Sequence, residues 1–114
     1  MKPSSAGRVL GTTFQISKTD DMLVFYTIEL SVTAQLLATQ FAQVVLLCDS
    51  SPTPTVQAGE AFLASAQTSG ISLVPIQTTA RQMIAALIPA GCYVTLVAAG
   101  GGSATLVNQM EVVT

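Results

Sequence analysis

The sequence predicts an all-β domain, an antiparallel sandwich of about eight strands. Three observations lead there. Residues 22–34 alternate apolar and polar side chains along one long run. Short runs rich in Val, Ile, Leu and Tyr recur down the chain, and clusters of Gly, Pro, Ser and Asp separate them. At 114 residues the chain suits one domain. A domain of that size buries roughly 65% of the surface its unfolded chain exposes, which suffices for a core without covalent staples.

The elements follow in order. Residues 1–12 are Ser/Gly-rich and lack periodicity, and with Thr13 and Phe14 they are assigned to an N-terminal arm over 1–14, ahead of a sandwich domain over 15–114. In residues 22–34, Met22, Val24, Tyr26, Ile28, Leu30, Val32 and Ala34 share one parity; Thr27, Glu29, Ser31 and Thr33 share the other. This is a strand with one buried face. Leu23 and Phe25 open the second face, so the first half of the strand is apolar on both sides. A sandwich interior covers only one side, and a neighbouring subunit or the arm is expected on the other. Residues 43–48 (QVVLLC) read as a buried strand closed by the turn at 49–54. Residues 71–77 (ISLVPIQ) read as a strand whose Pro75 lacks a donor, placing it at an edge or bulge. Residues 88–91 (IPAG) are a turn, and residues 92–98 and 104–113 flank Gly100-Gly101-Gly102 as a terminal hairpin.

Three segments are ambiguous. Residues 33–43, 56–67 and 79–87 are rich in Ala, Gln, Leu and Met, good helix formers. Residues 79–87 (TARQMIAAL) fit a short helix or a strand buried on both faces. The alternative fold is therefore α+β, with short helices near 34–42 and 79–87.

Charged residues make up 9% of the chain, where soluble domains average about 25%. A free monomer so sparsely charged is poorly protected against association, so much of the surface is expected to be covered by copies of the chain or by a partner. Lys2, Arg8, Lys18 and Arg81 are scattered and the net charge is −2. A phosphate-tracking surface needs several cations on one face, so no nucleic acid partner is expected. No apolar run approaches the ~20 residues of a membrane helix, and the N-terminus lacks the apolar segment of a secretory signal.

The ingredients of an active site are scarce. The chain has no His, hence no imidazole base and no Ser-His pair. Asp20-Asp21 is the one adjacent acid pair; it reads as a turn ahead of a strand rather than half of a Ca²⁺ or glycosidase site. Gly100-Gly101-Gly102-Ser103 lacks the Lys and following helix of a phosphate-binding loop. Cys48 and Cys92 read as reduced core residues, with a disulfide the minority reading, and they lack the additional ligands of a metal site. Tyr26 and Tyr93 lie inside strand patterns and read as packing residues. The expectation is a non-enzyme with no metal and no cofactor.

The run Arg8-Val9-Leu10-Gly11-Thr12-Thr13-Phe14-Gln15-Ile16-Ser17, followed by Asp21-Met22-Leu23-Val24-Phe25-Tyr26-Thr27-Ile28, resembles a β module of tailed-phage virion proteins. Such modules open with Arg-x-Leu-Asn-x-x-Phe-x-x-Ser, then an Arg-Asp-x-x-Val-x-Tyr-Ser-Val strand. Near their ends come Val-Pro-Ala-Gly-Tyr-Tyr-Val-x-Leu and Gly-Gln-Glu-Val-Leu. The counterparts here are Ile88-Pro89-Ala90-Gly91-Cys92-Tyr93-Val94-Thr95-Leu96 and Asn108-Gln109-Met110-Glu111-Val112-Val113. The pieces keep their order from about residue 8 to residue 114. Gly11 replaces the usual Asn, Asp20 the usual Arg, and residues 33–43 are more apolar than the family's Gly-rich turn.

The resemblance implies a jelly-roll or tail-needle-knob type of sandwich, usually trimeric, with strands through 56–62 and 81–87 and no catalytic residues. It implies a virion structural protein. With Met1 about twenty residues ahead of the first long strand, a free-standing copy is expected, docking on the particle surface as a capsid decoration or minor capsid protein. The expected partners are itself, as a homotrimer, and the phage major capsid protein or another virion protein. The candidate interface residues are Arg8, Leu10 and Phe14 of the arm, Leu23 and Phe25 of the long strand, and Leu36, Leu37 and Phe41, which need cover. The alternative function is a receptor-binding tip of a tail or head fibre that recognises a host glycan or protein.

Overall fold

The structure, a computed structural model, describes residues 8–34, 40–64 and 76–114. Among them the chain forms seven strands and no helix: β1 (Thr13–Gln15), β2 (Met22–Ala34), β3 (Phe41–Asp49), β4 (Gln57–Ala64), β5 (Ile76–Ile88), β6 (Tyr93–Ala99) and β7 (Ser103–Val113). They make two antiparallel sheets, one in the order β1-β6-β3-β4 and one in the order β5-β2-β7. The fold is all-β, a sandwich of four strands over three.

β2 organises the core. It sits between β5 and β7, and its register with β5 runs unbroken from Met22 opposite Ile88 to Ala34 opposite Ile76. Its alternation sends Met22, Val24, Tyr26, Ile28, Leu30 and Val32 inward, all buried. Ala42, Val44 and Leu46 of β3, Ala61 of β4, Ile84 and Ile88 of β5, and Val94 and Leu96 of β6 meet them. Each large aliphatic side chain so buried contributes roughly 1.5–3 kcal/mol. Gly59 of β4 faces inward where Ile84 crosses: a Cβ built there would lie 2.5 Å from Ile84 Cγ2.

Both lateral seams of the sandwich are joined by a glutamine acting as a surrogate peptide. At the β4/β5 seam, Gln82 Oε1 accepts from Phe62 N at 2.9 Å and Gln82 Nε2 donates to Phe62 O at 2.6 Å. Beside β7, Gln109 Oε1 accepts from Arg8 N at 2.7 Å and Gln109 Nε2 donates to Arg8 O at 3.2 Å. Each side-chain amide thus satisfies a donor and an acceptor on the neighbouring segment.

Several sequence expectations change here. Residues 79–87 are strand, within β5, so the α+β alternative fails there. Pairing with β2 along the whole strand outweighs the few tenths of a kcal/mol per residue that helix propensity represents. Of residues 34–42, Ala34 belongs to β2 and Phe41 and Ala42 to β3; residues 35–39 lie outside the described residues. Of the strand expected over 71–77, Ile76 and Gln77 open β5; Pro75 and the residues before it lie outside the described residues. Residues 92–98 and 104–113 are not a hairpin. β6 already has β3 on one edge and β1 on the other, and β7 pairs with β2, so the glycine run carries the chain between sheets. Gly100 has φ 96° and lies against the Phe41 carbonyl, a place where only glycine fits.

The arm expected over 1–14 also changes. From residue 8 onward it belongs to the sandwich, with Thr13–Gln15 as β1 and Gly11 N donating to Leu96 O at 2.7 Å.

Candidate interaction surface

Of the expected interface residues, Arg8, Leu10 and Phe14 are engaged within the chain. Arg8 Nε and Nη2 donate to Glu111 at 2.8 and 2.9 Å, and the Tyr26 hydroxyl donates to Glu111 Oε2 at 2.7 Å. Glu111 is buried, at 2% exposure, and Arg8 half-buried, at 18%. The Arg8 guanidinium also lies 4.3 Å from the Phe14 ring centroid, and Phe14 meets Tyr26 edge-on at 6.4 Å. Leu10 and Phe14 pack against the core cluster. The carboxylate raises the Arg8 pKa further, and burial, with the carboxylate alongside, pushes the Tyr26 phenol far up, so the first stays charged and the second neutral. Arg8, Phe14, Tyr26 and Glu111 come from three of the four pieces that carry the phage resemblance.

Leu23 and Phe25 are placed differently. Alternation points them out of the sandwich, on the outer face of the β5-β2-β7 sheet. The register sets Leu23 between Leu87 and Val112, Phe25 between Ala85 and Met110, and Thr27 between Met83 and Asn108. These rows form one apolar half-face. Met83 and Leu87 are 59% and 57% exposed and Met110 is exposed too, so the described residues leave this half-face open. The other half of the face is polar. Glu29 and Arg81 pair at 2.9 Å, and beyond them stand Ser31 and Thr79, then Thr33 and Gln77. That ion pair is exposed and contributes at most about 1 kcal/mol. Its effect is to leave the face with no net charge.

Met83, Leu87, Met110 and Val112 escaped the sequence reading. The signal was present as the second parity of residues 79–88 and 104–113, but it acquires meaning only once these strands flank β2. Leu36 and Leu37 lie outside the described residues. Phe41 is on the outer face of the other sheet, exposed and stacked on Phe62 with centroids 5.9 Å apart. Val45 and Val97 sit opposite each other on the same face. Phe62, too, was unforeseen.

The acids serve the turns. Asp21 Oδ1 accepts from Ala90 N at 2.9 Å, and Asp49 accepts from the backbone of Ser51 and Thr55 at 2.7 and 2.8 Å. Those amides hold the Asp49 carboxyl below its usual pKa. Among the described residues no three of His, Cys, Asp and Glu converge as a cation site. Tyr93 is half-buried at the start of β6, opposite Gln15 and Asp49.

Compared with family models, with curated proteins and with solved structures, the chain matches none.

Proposed function

We propose that this chain is a non-catalytic structural module of a phage particle, a capsid decoration or minor capsid protein that assembles with copies of itself, as a trimer, and docks on the particle surface. One observation carries the reading: among the described residues nothing covers the half-face of Leu23, Phe25, Met83, Leu87, Met110 and Val112, on a face whose charges cancel. Contiguous exposed apolar surface on a soluble domain marks an interaction site. The low charge of the whole chain supports it, as does the resemblance of the four ordered motifs. A sandwich of jelly-roll type fits the connections, since apart from β3–β4 successive strands alternate between the two sheets.

The experiment is co-sedimentation of the purified protein with particles stripped of surface proteins. Saturable binding, lost in a Met83→Lys/Leu87→Lys variant, supports the reading. Absence of binding to any virion fraction overturns the particle partner.

A receptor-binding tip is the second reading, favoured by the exposed Phe41–Phe62 stack at the strand ends near the Gly100 crossing. It calls for binding to host envelope sugars or proteins that Phe62→Ala abolishes.

A further inference from the structure

Cys48 and Cys92 stand together, a feature independent of how the chain assembles. Cys48 lies on the inward row of β3 after Ala42, Val44 and Leu46, and Cys92 immediately precedes β6. β3 and β6 are paired, with Cys48 opposite Val94 and Asp49 opposite Tyr93. Side chains two positions apart share a face, so Cys92 falls on the face of Cys48, one diagonal step away. Both are reduced, half-buried and packed against the core. The thiols are close enough that Cys92 adds to burial in holding the proton on Cys48, whose pKa is pushed up to about 11; Asp49 acts in the same sense.

We propose that Cys48 and Cys92 are an oxidisable dithiol, closing to an intrachain disulfide when the folded protein meets a small-molecule disulfide. The Cys92 thiol gives its proton to solvent, and its sulfur attacks the small disulfide, forming a mixed disulfide and expelling one small thiolate. Cys48 then loses its proton and attacks the Cys92 sulfur, releasing the second thiolate. Two protein thiols are oxidised by two electrons and one small disulfide becomes two thiols. Cys92 goes first because Cys48 is held protonated.

A regular diagonal pair has Cα atoms about 7–8 Å apart, slightly beyond the ~4.4–6.8 Å of disulfides. Cys92 sits at the end of the turn before β6, where its N reaches Pro89 O at 3.2 Å and Gly91 has φ 81°, so the proposed bond closes by a small shift of this turn rather than of the β3–β6 ladder. The bond tethers residues far apart in sequence, constraining the unfolded chain and leaving both outer faces as they are. In a glutathione-reducing compartment the pair stays open; outside it, the pair closes.

The test incubates the folded protein with oxidised glutathione, quenches with acid and reads the mass. The expected product is monomeric, lighter by two hydrogens, with a higher unfolding midpoint. Resolution by Cys48 quickens as pH rises, following its thiolate fraction. Cys48→Ser stops as a glutathione adduct on Cys92, and Cys92→Ser gives no closed form. A lasting adduct on the unmutated chain, disulfide-linked dimers, or closure only in denaturant would overturn the proposal.

Discussion

Glu111 is the buried acid on which the N-terminal segment depends. Its carboxylate is held by Arg8 and Tyr26, so removing one partner leaves a charge or a polar group in the core. Arg8→Ala is expected to destabilise the protein by about 3–5 kcal/mol, read as a lower urea midpoint with unchanged slope. Replacing the whole network, Arg8→Met with Glu111→Leu and Tyr26→Phe, should recover most of that loss, because neither an unpaired charge nor an orphaned buried hydroxyl remains. Truncation through residue 12 costs more than the single change, since it also removes Leu10 from the core and the backbone bonds of Arg8 and Gly11. Cys48 gives a second prediction at this scale. Folding raises its pKa from the ordinary 9.0 to about 11, chiefly through burial, so the native state favours the neutral thiol. Its contribution is complete below pH 9 and is lost as pH climbs through 11. Under reducing conditions, unmutated protein should lose more stability between pH 8 and 11 than Cys48→Ala; parallel losses would show that the thiol's burial does not matter.

Strands and seams are where single substitutions act on packing between sheets. Gly59→Ala drives a methyl into Ile84 and is expected to cost about 1–3 kcal/mol by overpacking, measured by urea unfolding. Gln82→Ala removes both bonds across the β4/β5 seam. A loss of about 1–2 kcal/mol is expected, with faster hydrogen exchange at the Phe62 amide as the local readout. Legibility also divides at this scale. β2 was readable to the residue because its alternation is unbroken and its neighbours impose nothing contrary. β5 was not, because Ala, Gln and Met favour helix locally and only pairing with β2 decides. The hairpin expected around Gly100–Gly102 failed for a related reason: turn chemistry is local, whereas the edges of β6 are taken by β3 and β1 from elsewhere in the chain. Arg8 looked like a docking residue because its partner Glu111 lies 103 positions away, beyond any sequence window.

Over the whole molecule, apolar side chains exceed what one sandwich interior holds. The surplus falls on opposite sides: the half-face around Leu23 and Phe25 on one sheet, and Phe41 with Phe62 on the other. The first was half legible, since two apolar residues of the wrong parity opened β2; Met83, Leu87, Met110 and Val112 joined them only through register. With 9% charged residues, little repulsion keeps copies apart. The surface positions Met83 and Leu87 contribute little to the fold itself, so at a concentration low enough for the parent to be monomeric, Met83→Lys/Leu87→Lys should change the unfolding free energy by no more than about 0.5 kcal/mol. The most direct test of the claim that this face is made for protein contact is size-exclusion chromatography with light scattering, run on the parent and this variant at matched concentration. The account predicts a discrete oligomer for the parent, a trimer, and a monomer for the variant. A parent that stays monomeric at high concentration, or a variant that assembles as the parent does, would contradict it.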